Sequence, residues 1–147
     1  MEEYPKKYVV MCLIKPGISS NEYSNIDNIM GYYVSSAYLI ENIDNDGYVV
    51  ALSHYPEFTK DNVLINGSIV NRIYDTKDVA IKNRDRLNSK LVNDKVSIAY
   101  EKYLNNKIDR MNLIKAKIDA ESDLSECEEY EFSLDAIEVE MELKKRK

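Results

Sequence analysis

One stretch decides the fold, residues 62–80, which read NVLINGSIVNRIYDTKDVA. Asn66-Gly67 is the pair that favours a tight hairpin turn, and it separates two β-branched runs, residues 62–65 and 68–74. The pair Asp75-Thr76 follows at once, and both residue types cap the first turn of helices. The stretch therefore predicts a β-hairpin that leads directly into a helix.

Three further strand-like runs lie before this hairpin. Residues 7–15 form a continuous apolar run with a proline on either side, which predicts a strand buried on both faces, with Cys12 in the core. Residues 32–40 and 48–52 flank Asp44-Asn45-Asp46-Gly47, a second turn signal. The first half of the chain is therefore predicted to be mostly antiparallel strands.

The second half begins with a long stretch without glycine or proline, residues 77–119. Its apolar positions fall on one helical face at first and on nearly the opposite face later. Because one straight helix cannot bury both faces against the same core, we expect a break near residues 92–95. The second helix would then cover residues 95–118.

The C-terminal part is acidic, and its last segment alternates between apolar and acidic residues. Residues 119–131 carry seven acidic side chains and are predicted to be a linker. Residues 137–143 alternate between apolar residues and glutamate, which predicts an edge strand with one wet face, followed by a basic tail at 144–147. The carboxylates of that wet face are Glu138, Glu140 and Glu142.

These elements predict one α+β domain over residues 1–147. Its architecture would be a mainly antiparallel sheet of five to six strands, with two hairpins and the acidic C-terminal edge strand, covered by two consecutive helices. The length of 147 residues suits a single domain.

Charge is segregated along the chain, whose net charge is −6. Residues 76–118 carry 11 basic and five acidic side chains, whereas residues 119–147 carry four and 11. Two charged surfaces are therefore candidate binding sites. One is the carboxylate row of the predicted edge strand. The other is a basic helix face formed by Lys82, Arg86 and Lys90, which are spaced i, i+4, i+8.

Most catalytic chemistries lack their residues here. The four glycines lie far apart, so no phosphate-binding loop can form, and a single histidine excludes a multi-histidine metal site. Cys12 and Cys127 have neither disulfide nor metal-ligand spacing. We therefore expect a protein that is not an enzyme and that holds no cofactor or metal.

The leading hypothesis is a small, acidic, cytoplasmic protein that binds a protein partner, as a phage or mobile-element inhibitor of a host nucleic-acid enzyme would. Two alternatives stay open. One is a nucleic-acid-binding module that uses the basic helix face, and the other is a small-ligand binder with a pocket near His54. No membrane segment is expected. The apolar stripe of the 95–118 helix would pack on the sheet by default, or on a second copy in a homodimer. Its members are Tyr100, Leu104, Ile108, Met111 and Ile118.

Overall fold

The computed structural model describes the backbone of residues 6–22, 24–43, 47–52, 58–60 and 68–145, and the side chains of residues 7–19, 21–22, 24–36 and 72–133. The elements, in chain order, are β1 (Lys6–Ile14), β2 (Ile29–Ile43), β3 (Gly47–Leu52), β4 (Phe58–Lys60), β5 (Ser68–Tyr74), α1 (Lys77–Leu104) and α2 (Arg110–Lys145). Two short 3₁₀ turns, Ser20–Glu22 and Ile26–Asn28, lie between β1 and β2.

β1 is the central strand of the sheet that the helices cover. It pairs with β2 on one side and with β5 on the other, both times antiparallel. Val9 and Met11 alternate with Val10 and Cys12 along the strand, and all four side chains are buried. The prediction of a strand buried on both faces at residues 7–15 is therefore confirmed.

β2 changes its partners along its length. Its first part pairs with β1 up to Tyr38, whereas β3 pairs only with residues 37–43, beyond the part that packs on the helices. β4 continues the ladder outward from β3, so the strand order is β4-β3-β2-β1-β5. In the segment 29–36, one edge of β2 consequently has no strand beside it among the described residues.

The predicted sheet of five to six strands is wrong. The sheet that carries the core is a three-stranded antiparallel unit, β2-β1-β5, packed against two helices, while β3 and β4 only prolong the far end of β2. β5 pairs antiparallel with β1, and its predicted hairpin partner, residues 62–65, lies outside the described residues. The pairing of β2 with β3 agrees with the turn signal between them, whereas the pairing of β5 with β1 joins segments far apart in the chain and leaves no local pattern.

α1 begins at the cap that the sequence predicts. The Thr76 side chain accepts a hydrogen bond from the backbone N–H of Val79 at 3.4 Å, and Asp78 lies in the first turn. Ala80 packs against Val10 of β1, and Leu91 packs against Cys12. The buried positions of α1 lie on one helical face and are Ala80, Asn88, Leu91, Lys95 and Ala99.

The break between the helices lies at residues 105–109, so the predicted break near 92–95 and the predicted 95–118 helix are both wrong. Asn106 takes a left-handed conformation, with φ of 58°, which asparagine tolerates better than most residues. α1 turns the same face to the sheet along its length, because the polar residues Asn88 and Lys95 are buried on that face together with the apolar ones. A hydropathy pattern does not mark polar residues such as these as buried.

α2 replaces two predicted elements. It is helical from Arg110 to Lys145, so the acidic linker at 119–131 and the C-terminal edge strand at 137–143 are both wrong. The segment holds no glycine or proline, and glutamate, which is frequent in it, favours helices over strands. Alternation over seven residues was too short a signal to outweigh that preference.

Candidate functional site

The hairpin of α1 and α2 closes the free edge of β2 with side chains. The Oδ1 atom of Asn88 accepts a hydrogen bond from the backbone N–H of Tyr32 at 2.7 Å, and its Nδ2 atom donates to the Tyr32 carbonyl at 3.0 Å. One side-chain amide thus forms the two hydrogen bonds that a residue of a neighbouring strand would form. Asn88 is buried and fixes α1 against the sheet.

Glu131 closes the next position on the same edge. Its Oε2 atom accepts a hydrogen bond from the backbone N–H of Val34 at 3.0 Å, and its Oε1 atom pairs with Arg84 of α1. The side chains of Arg84 and Glu131 are only 18% and 17% exposed. Burial alone would lower the pKa of Arg84, but its hydrogen bonds and charge attraction to Glu131 and Asp85 outweigh burial and raise this pKa. The pair therefore stays charged and ties both helices to β2.

Lys95 forms a third polar contact under the hairpin. Its ammonium donates to the Ile29 carbonyl at 2.5 Å and lies 3.7 Å from Asp123, which also pairs with Lys15 at 3.3 Å. Burial lowers the pKa of Lys95, and the negative charge of Asp123 opposes that shift in part. Because a carbonyl and a carboxylate already engage the ammonium, this geometry indicates a structural lysine more than a nucleophile.

Lys95 and Asp123 also line a polar groove of about 410 Å³ between the helices and the end of β1. Lysines and aspartates alternate around it, including Lys102, Lys115 and Asp119. Charges of both signs so close together neutralise each other, which gives the groove no clear preference for an anion or a cation.

The two cysteines are buried free thiols. Burial raises the pKa of Cys12 to about 12, a hydrogen bond with Tyr32 opposing this in part, and burial together with the charge of Glu131 raises that of Cys127 to about 12. Thiolate is the reactive form of cysteine, and neither residue forms it near neutral pH. The prediction that Cys12 is a core residue is confirmed. Cys127 lies in the core against Gly31, not in a linker.

The outer side of the hairpin has the opposite character. A groove of about 1090 Å³ runs between α1 and α2, and we call it the interhelical groove. Its lining consists of Val92, Asn93, Val96, Ser97 and Tyr100 of α1 with Leu113, Ile114, Lys117, Ile118 and Glu121 of α2. The floor is mostly apolar and the polar groups lie around it, which is the usual composition of a binding groove in a protein.

Large apolar side chains near this groove are exposed. Ile114 and Tyr100 are half-exposed, Ile118 is 58% exposed, and Leu104 and Met111, closer to the interhelical turn, are 59% and 79% exposed. The sequence names four of these five residues as members of an apolar stripe. The default expectation that the stripe packs on the chain's own sheet is wrong, since the stripe is divided between two helices and faces away from it. A continuous apolar surface of this kind on a folded chain commonly marks an interaction site.

The basic helix face lies where the sequence puts it, on α1, and all three of its side chains are exposed. Its charge is reduced by neighbours. Lys90 pairs with Asp94 at 2.9 Å, and Arg86 donates to Asn83 at 3.4 Å. The structure gives Lys82, Arg86 and Lys90 a shared face but no concentrated positive field.

The predicted carboxylate row does not form as a strand face. Glu138, Glu140 and Glu142 lie within α2, so the predicted edge strand that was to carry them is absent from this helical segment. Their side chains lie outside the described part of the chain. His54 and the pocket predicted near it lie outside the described residues as well.

Sequence reasoning missed the residues that fix the hairpin, namely Arg84, Asn88, Asp123 and Glu131. The residue type alone does not reveal that a polar residue on a helix is buried. Spacing is the one signal in the sequence, because Asn88 and Lys95 share a helical face with Ala80, Leu91 and Ala99.

Within the described residues, no group of three or more histidine, cysteine, aspartate or glutamate side chains is placed to hold a metal ion. Over the same part of the chain, neither helix is both long and apolar enough to cross a bilayer. No family model, no curated protein and no solved structure matches the chain.

Proposed function

We propose that this is a non-enzymatic binding protein that receives an amphipathic helix of another polypeptide chain in the interhelical groove. One observation carries the proposal. Two neighbouring helices leave Tyr100, Ile114 and Ile118 half or more exposed around a groove large enough for the side chains of a third helix.

The energetics support a groove of this kind. Burying a half-exposed isoleucine removes its remaining apolar area from water, which contributes roughly 1 kcal/mol. Because several such side chains lie side by side, burying them together contributes more binding free energy than burying one isolated apolar side chain. The inner face, by contrast, has its polar groups satisfied by Asn88, Lys95 and Glu131 and offers a ligand little.

Charge suggests which partners would approach. The exposed acidic side chains of α2 that do not line the groove would attract a basic protein surface beside it; they are Asp119, Glu126, Glu128 and Glu129. Inhibition of a nucleic-acid enzyme, whose substrate channel is basic, is one activity that fits this charge. The two free thiols fit a reducing compartment such as the cytoplasm.

Direct nucleic-acid binding is the weaker candidate. Lys82, Arg86 and Lys90 share an exposed face, but Asp94 neutralises Lys90 and Asp85 lies beside the other two. A polyanion would also meet the carboxylates of α2. Measuring DNA retardation at low salt would test this candidate, and we expect none.

A photo-crosslinking residue at position 118 tests the groove. In the full chain, exposed to lysate of the source organism, Ile118→benzoylphenylalanine should crosslink to one helical segment of another chain, identified by mass spectrometry. The control is the same substitution at Lys115, which is exposed on another face of α2 and does not line the groove. Adding Ile114→Glu should abolish the adduct. Equal crosslinking from positions 118 and 115, or none from either, would contradict the proposal.

A further inference from the structure

We infer that the helix received by the interhelical groove belongs to a second copy of this chain, so that two hairpins form a four-helix bundle. This inference rests on the proposed function and names the partner at the same groove. The observation behind it is the charge on the groove rim, together with the shape of the hairpin.

The rim is electrically balanced. Among the groove-lining residues, only Lys117 and Glu121 are charged, and neither forms an ion pair with another described residue. They lie four residues apart on α2, one turn of helix. An antiparallel approach of two α2 helices around a two-fold axis between these positions sets Lys117 opposite Glu121 of the other copy, and it does so twice. A strongly basic or acidic partner could satisfy only one of the two charges.

The shape of the hairpin supports a partner of its own kind. Two antiparallel helices with an apolar outer seam are half of a four-helix bundle, and a second hairpin supplies the missing half with the same seam. Val96, Tyr100, Ile114 and Ile118 would then be buried between the two copies. The net charge of −6 on each copy repels only weakly at physiological salt, because screening acts over about 8 Å.

The test is a charge-exchange series on the full chain, with sedimentation velocity measuring the dimer dissociation constant. We expect the wild-type chain to be dimeric at micromolar concentration, and Ile114→Glu to be monomeric. Lys117→Glu and Glu121→Lys should each weaken the dimer roughly tenfold, because each turns two attractions into two repulsions. Mixed together, the two weakened variants should associate about as tightly as the wild type, since every facing pair is again opposite in charge. Lys115→Glu is the matched control, because it makes the same charge reversal on another face of α2, and it should leave association unchanged.

The outcomes separate the two proposals. A wild-type chain that stays monomeric at high concentration overturns the inference that the partner is a second copy. Crosslinks from position 118 to a different protein would in that case still support the groove as a binding site. A wild-type dimer whose two charge variants do not associate better when mixed overturns the two-fold arrangement. If Ile114→Glu affects neither association nor crosslinking, the groove itself is not a binding site.

Discussion

The two ends of the helical hairpin follow opposite rules. At the end near the sheet, α1 and α2 bury polar and charged groups, among them Asn88, Lys95 and the Arg84–Glu131 pair. At the end near the interhelical turn, the same helices expose large apolar groups such as Leu104 and Met111. A single pair of helices thus buries polar groups together with apolar ones in one region and exposes large apolar groups in another.

The buried polar groups stabilise the fold, whereas the exposed apolar groups contribute little to it. Each buried polar group near the sheet meets a specific backbone atom or opposite charge, so its burial costs little. The exposed apolar groups at the turn end meet no comparable partner within the described chain. Stability should therefore depend on the sheet end, whereas association should depend on the turn end.

The largest effect expected at the sheet end is loss of stability in alkali. The pKa of Cys12 and that of Cys127 are each raised from 9.0 to about 12 in the fold, so the unfolded chain releases these protons first. The contribution of the two thiols to the free energy of unfolding is fully present below pH 9. It falls as the pH rises from 9 towards 12, by about 1.4 kcal/mol per pH unit for each thiol.

Urea unfolding across this pH range measures the slope. Cys12→Ala combined with Cys127→Ala should make the decline shallower, even though the variant starts from lower stability at neutral pH. An equally steep decline in that variant would show that the thiols are not its cause.

The next effect is loss of the mostly buried Arg84–Glu131 ion pair. Glu131→Ala leaves Arg84 with only the exposed Asp85 as a partner and the Val34 N–H with none from Glu131, and it should lower the free energy of unfolding by about 3 kcal/mol. Glu129→Ala, an exposed neighbour on the same helix, is the control and should change it by less than about 0.5 kcal/mol. Similar values for the two variants would mean that the pair does not fix α2 to β2.

A smaller loss is expected at Asn88. Asn88→Ala removes both hydrogen bonds to Tyr32 and should cost about 2 kcal/mol, because a buried N–H and a buried carbonyl lose their partner. Hydrogen exchange of the Tyr32 amide should accelerate accordingly. Asn83→Ala removes two exposed hydrogen bonds within α1, to the Val79 carbonyl and from Arg86, and should be nearly neutral. Unchanged protection of Tyr32 would show that another group closes this edge.

The smallest effect belongs to the turn end. Ile118→Gln should change the stability of the monomer by less than about 0.5 kcal/mol, because the side chain is already mostly exposed. The measurement is thermal unfolding at a concentration too low for association. A loss above about 1.5 kcal/mol would place Ile118 in the fold and remove the contrast between the two ends.

Local signals in the sequence predict the local parts of this structure well. The apolar run at β1 gives a strand buried on both faces, and Thr76 caps α1 as its residue type suggests. The pairing of β5 with β1 is not predictable in this way, since no turn connects them. The helix at 119–145 was missed because its acidic composition resembles a linker and its alternation resembles a strand.

The candidate site divides along the same line. Tyr100, Leu104, Met111 and Ile118 stand out in the sequence as an apolar stripe, but hydropathy alone assigns such a stripe to the nearest core. Their exposure follows from the turn at 105–109, which folds the stripe back on itself between two helices. Only the tertiary position of that turn distinguishes a core stripe from a docking groove.

The closure of β2 by helix side chains has a consequence for aggregation. Tyr32-Tyr33-Val34 is aromatic and β-branched, and an open strand edge of this composition is a template for intermolecular pairing and amyloid growth. Asn88 and Glu131 accept hydrogen bonds from the backbone N–H groups of Tyr32 and Val34, so the docked hairpin protects this edge from pairing with other chains. Whatever loosens the hairpin from the sheet exposes that template before the chain has fully unfolded.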